Sequence, residues 1–72
     1  MNRIPVDSSN IKSIGYDENE QILEIEFRGE AIWQYRNVPL TIWLELESAP
    51  SKGKYFQSQI RERFSSTAYR VK

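Results

Sequence analysis

Ser51-Lys52-Gly53-Lys54 places a hydroxyl, two ammonium groups and a glycine where a helix is expected to begin. Free backbone N–H groups, the positive end of the helix dipole and a glycine that admits close approach suit such a segment to an anion. Arg61 follows Lys54 by seven residues, so an α-helix puts Lys54, Ser58, Arg61 and Ser65 within about 60° of one another on the solvent side. Ser51, Lys52, Gly53, Lys54 and Arg61 are therefore the candidate anion- or nucleic-acid-binding residues. The spacing is not that of a Gly-x-x-x-x-Gly-Lys-Ser/Thr phosphate loop. A plain cap at Ser51, with Gly53 easing helix packing, accounts for the same residues and is the commoner explanation.

Two other constellations compete with structural readings. Tyr16, Trp33 and Tyr35 invite comparison with sheet aromatics that stack bases. They fall on the same strand face as Leu23, Ile25 and Phe27, which a domain this small needs as core, so packing is the preferred reading. Glu24 and Glu26 are two apart on one strand face, as a metal site or an acid/base pair would need, but carboxylates alternating with core residues usually mark the solvated side. The chain has no histidine and no cysteine, which removes thiolate and imidazole metal sites, disulfides and histidine-based catalysis. No catalytic residue, metal or cofactor is expected, and the protein is read as non-enzymatic.

The elements that must carry these residues follow from periodicity. Residues 1–10 hold Pro5 and the turn-prone run Asp7-Ser8-Ser9-Asn10 and read as a leader segment, with residues 11–72 as one globular domain. Ile14 and Tyr16 alternate with Ser13 and Gly15; Leu23, Ile25 and Phe27 alternate with Glu24, Glu26 and Arg28. Asp17-Glu18-Asn19-Glu20 breaks the two runs, which predicts a hairpin. If Arg28-Gly29-Glu30 forms a three-residue loop, Ile25 faces Trp33 and Leu23 faces Tyr35; a two-residue loop would set Trp33 against Glu26, so the three-residue loop is chosen. Pro39 suits a first helical turn, and LTIWLELES reads as a short helix with an unusually wide apolar arc. Its Trp43 either lies exposed or, more readily, packs on Phe56. Ala49-Pro50 ends that helix, and a second one runs from the Ser51 cap through Phe64 with Phe56, Ile60 and Phe64 buried. Thr67 to Val71 either adds a short fourth strand or frays. The expected fold is α+β: a three-stranded antiparallel meander, with that optional fourth strand, and two helices on one face.

Of 72 residues, 39% are apolar, 28% charged and 12% aromatic, a globular composition sufficient for one small core. The net charge is zero but unevenly spread: residues 1–48 hold four bases and nine acids, a net −5, and residues 49–72 hold six bases and one acid, a net +5. A basic half attracts phosphate or an acidic partner, though a neutral total keeps long-range steering weak. No apolar run is long enough to span a membrane and the N-terminus carries no signal pattern, so a cytoplasmic location without membrane association is the default expectation.

The segments SSNIKSIGYD, LEIEF, WQYRNVP and LESAPSKGKYFQSQIR resemble the KTSC domain, a family of about sixty residues named for the C-terminus of some lysyl-tRNA synthetases. The likeness covers nearly the whole chain. The family's central Tyr-x-Tyr stands here as Trp33-Gln34-Tyr35, its Val-Pro as Val38-Pro39, and its Ser-x-Gly-x-Tyr/Phe-Phe stretch as Ser51 to Phe56. The resemblance implies the α+β fold and no established activity. Through its synthetase association it implies a small accessory module that binds RNA, tRNA-like or otherwise, or another polyanion; the alternative is a protein–protein interaction module with no nucleic acid involved.

Overall fold

The structure is a computed structural model that describes residues 1–72. Asp17 accepts hydrogen bonds from the Asn19 and Glu20 amides at 3.0 and 3.2 Å, and this Asx turn, with Gln21 at φ 55°, closes a hairpin between strands β2, Ile11–Asp17, and β3, Ile22–Phe27. The loop Arg28-Gly29-Glu30, with positive φ at Gly29 and Glu30, leads into β4, Ile32–Tyr35. Leu23 pairs with Tyr35 and Ile25 with Trp33, the register that the three-residue loop predicts.

The sheet is larger than the expected meander. Arg3–Pro5 forms a strand, β1, against β2, and Tyr69–Arg70 forms β5 against β4. Five antiparallel strands therefore lie in the order β1-β2-β3-β4-β5, where three with an optional fourth were expected. Part of the supposed leader is thus an edge strand. Its position depends on Gly15, where a Cβ would come within 2.8 Å of the Asn2 carbonyl oxygen and 3.0 Å of Arg3 Cγ. Pro5 suits that edge, because a proline lacks the N–H an inner ladder requires. The tail forms a 3₁₀ turn at Ser65–Thr67 and then pairs as β5, after which the Val71 amide bonds the Ile32 carbonyl at 2.7 Å, so this segment is paired and not frayed.

A bulge near Lys12 shifts the β2–β3 register between Ile11 and Ser13. It turns Ile11 and Ile14, three residues apart, to the same face, and both are fully buried. With Leu23, Ile25 and Tyr35 they make the sheet side of the core. The other side comes from Val38, from helix α1, Leu40–Ser48, and from the segment after Ser51. α1 begins directly after Pro39 and buries Ile42 and Leu46, while Leu40 and Leu44 on its wide apolar arc remain exposed. Trp43 neither projects freely nor meets Phe56; it stacks on Tyr16 at 5.6 Å and 9°.

The second helix departs most from expectation. α2 is one α-turn, Lys52–Tyr55, after which Phe56–Ile60 winds as a π-helix closed by the Arg61 amide on the Phe56 carbonyl at 2.9 Å. Phe56, Ile60 and Phe64 still reach the core, so the stripe expected from a continuous helix survives on its buried side. On the solvent side it does not. A π-turn contains one residue more than an α-turn, which rotates the residues after it by about 100°.

Candidate nucleic-acid interface

Each predicted binding residue has a definite place. Ser51 caps α2: its hydroxyl accepts the Lys54 amide at 3.3 Å. Lys52 donates its ammonium to the Ala49 carbonyl at 2.7 Å. Gly53 faces the N-terminal loop, where a Cβ would stand 3.3 Å from Ser8 Oγ. These contacts give three of the five a structural role. Lys54 and Arg61 are exposed, but the π-turn parts them. Lys54 opens onto a polar groove of about 690 Å³ shared with Asp7, Asn10 and Ser58, and Arg61 onto a different groove of about 600 Å³ floored by Trp33 and Tyr35.

A third depression, of about 290 Å³, lies against both. It shares Asn10 and Gly53 with the polar groove and Phe27 and Phe56 with the aromatic one, and Gln57 lines all three. Arg28 stands over it, anchored through Nε on the Ser8 carbonyl at 2.9 Å. The result is one continuous path with Lys54 at one end, Arg28 in the middle and Arg61 at the other. Asp7 is the only carboxylate along it. Arg28 and Gln57 were not candidates on sequence grounds, since no motif connects a hairpin loop to a helix 29 residues away.

The aromatic end combines packing with access. Phe56 meets Phe27 and Tyr35 edge-to-face at 5.3 and 5.6 Å. Trp33 and Phe27, expected as core, are only half-buried, and the small side chains of Ala31, Ser65 and Ala68 leave this edge of the sheet open. Arg61 Nη1 donates to Gln57 Oε1 at 3.1 Å, which holds the guanidinium at the rim. Burial pushes the Tyr35 phenol up to about 12, against the opposing pull of Arg61, so its hydroxyl is a proton donor at neutral pH.

The outer face of the sheet is a different chemistry. Glu24 is not solvated but 6% exposed, ion-paired with Arg3 and accepting from Gln34 Nε2 at 2.7 Å. Glu26 accepts from Ser13 Oγ at 2.7 Å; that hydrogen bond, with Lys12 and Arg3 nearby, holds its carboxyl below the usual range despite partial desolvation. Both carboxylates are committed to cross-strand pairs. No group of three or more metal-ligating side chains is brought together, and no helix is long and apolar enough to cross a membrane.

Comparison with known proteins places the chain in a family. The KTSC domain model matches residues 7–64, and the chain belongs to the KTSC domain family. It is 43% identical over 58 residues to a lysine–tRNA ligase of Nostoc sp., covering 81% of this chain and 10% of the ligase. An uncharacterised protein of Stutzerimonas stutzeri is 41% identical over 56 residues, 78% of this chain and 79% of that one. The crystal structure of a KTSC domain protein from Yersinia pestis superposes with a TM-score of 0.93 at 39% identity, covering 99% of this chain and 97% of that one. The chain spans about a tenth of the length of the ligases it matches.

Proposed function

We propose that this KTSC domain is a non-catalytic accessory module that binds RNA along the path from Lys54 past Arg28 to Arg61. The observation that carries the reading is the continuity of that path: three cations and several aromatic rings, against one carboxylate, in the combination that single-stranded nucleic acid requires. The relatives that are lysine–tRNA ligases point to tRNA as the RNA to try first. The second reading, a protein-interaction module, is favoured by Leu40 and Leu44, which leave an apolar strip of α1 in solvent.

Fluorescence anisotropy with a short single-stranded RNA and with tRNA, across a range of salt, separates the two. Three phosphate contacts predict that log affinity falls against log salt with a slope of about −2. Exchanging Lys54 and Arg61 together for Gln lowers that slope by about 1 to 2 with the fold intact, because neither side chain fills core volume. Absence of binding at micromolar protein in low salt overturns the RNA reading and leaves the Leu40/Leu44 strip as the working surface.

A further inference from the structure

Three of the four tyrosines use their hydroxyls within the chain: Tyr16 donates to the Val38 carbonyl at 2.5 Å, Tyr55 to Glu45 at 2.6 Å, and Tyr69 to Gln34. Tyr35 is the exception. It is 5% exposed, yet its hydroxyl has no partner in the chain. No side-chain polar atom is sealed away unsatisfied, so this hydroxyl opens into the groove that Tyr35 lines. A nearly buried polar group aimed at an open cavity is the position of a ligand contact.

The rest of the groove specifies the ligand. Trp33 is two residues from Tyr35 on the same strand face, about 7 Å along it, and its half-buried indole lines the same cavity. Arg61 lines the same cavity and is its one cation; Arg70, the cross-strand partner of Trp33, is outside the lining and donates from Nε to the Lys72 carbonyl at 2.8 Å. No carboxylate lines the cavity. Its volume of about 600 Å³ lies in the range of small-molecule sites. A planar ring, a hydrogen-bond acceptor on its edge and an attached negative charge satisfy all of these features together.

We infer that this groove is a base-binding subsite: an unpaired nucleobase of single-stranded RNA stacks on Trp33 and accepts a hydrogen bond from the Tyr35 hydroxyl, while Arg61 holds the adjoining phosphate. The inference rests on the RNA reading above and adds that the domain grips a base as well as the backbone. A duplex, whose bases are stacked on one another, cannot fill it.

The test uses Trp33 emission in a Trp43→Phe background, with three probes: a short oligoribonucleotide, an abasic ribose-phosphate oligomer of the same length, and inorganic polyphosphate. The base-bearing RNA is expected to quench Trp33 and to bind roughly 5- to 150-fold more tightly than the abasic chain. Tyr35→Phe is expected to weaken base-bearing RNA by about 2- to 12-fold, with abasic affinity and thermal midpoint unchanged, since the hydroxyl it removes supports nothing in the fold. Equal affinities for the base-bearing and abasic chains with unaltered Trp33 emission overturn the subsite and leave phosphate binding standing. Affinity for the base-bearing RNA untouched by Tyr35→Phe also overturns it. Failure of all three polyanions to bind overturns the subsite and the RNA reading together.

Discussion

Tyr35 joins core and groove in one side chain: its ring packs edge-to-face on Phe56 while its hydroxyl looks outward. Burial holds that phenol protonated, at about 12 against an ordinary 10.0. A raised folded-state pKa makes a contribution that is fully present below the unfolded value and is lost as pH climbs through the folded one. Stability should therefore hold up to about pH 10 and decline between pH 10 and 12. Urea midpoints measured across that window should fall less steeply in Tyr35→Phe than in the wild type. Superimposable curves would show that the phenol is not desolvated. Tyr55, raised by burial and by its hydrogen bond to Glu45, and Tyr16, raised by burial and by the nearby Glu18 and Asp17 carboxylates, contribute to the alkaline decline that remains in the variant.

At the scale of elements, the edge strand β1 depends on a glycine in its neighbour. Arg3 reaches across β2 to Ser13 at 3.1 Å and to Glu24 on β3, so β1 closes a polar chain over the outer face. Gly15→Ala would drive a methyl group into the Asn2 carbonyl, and the backbone must move to relieve it. We expect a loss of about 1–3 kcal/mol and faster amide exchange at Val6, whose N–H bonds the Lys12 carbonyl at 3.1 Å. Unchanged exchange at Val6 in the variant would mean that β1 tolerates the displacement. The π-turn acts at the same scale: one extra residue in a helical turn takes Arg61 out of line with Lys54, and Arg61 lines the groove of Trp33 while Lys54 lines another.

For the whole molecule, one core of eleven buried residues joins the sheet to the helices, and no second cluster exists to hold a part folded alone. Ile25, fully buried at the centre of β3, is the sharpest probe of that unity. Ile25→Ala should cost about 2–5 kcal/mol, which takes most of the stability of a domain this small. Denaturation followed by far-UV circular dichroism and by Trp fluorescence should shift together. A sheet signal that outlasts the fluorescence change would contradict a single cooperative unit. The oppositely charged halves, −5 and +5, interleave in this packing: β5, which carries Arg70, pairs with β4 of the acidic half, and Tyr55 of the basic half donates to Glu45 of α1 at 2.6 Å.

Alternation and turn chemistry were enough, from sequence alone, for β2, β3 and β4, for the choice of a three-residue loop, for the span of α1 and for the Ser51 cap. These depend on neighbours a few residues away, and a strand with one buried face tolerates no slip in register. The family resemblance was equally legible, because its motifs are contiguous strings. The tertiary structure alone decided what local pattern does not encode. β1 and β5 are too short to carry a period and exist through pairing, β1 with the next strand along the chain and β5 with a strand more than thirty residues away. The bulge that buries Ile11 and the π-turn that redirects Arg61 are single-residue departures from regular geometry, favoured by packing and invisible to a periodic template. Trp33 and Phe27 were assigned to the core by parity, which gives the face a side chain occupies but not what covers it. Where the neighbours are the small side chains Ala31, Ser65 and Ala68, the edge of the core remains open, and a packing surface becomes a candidate binding surface.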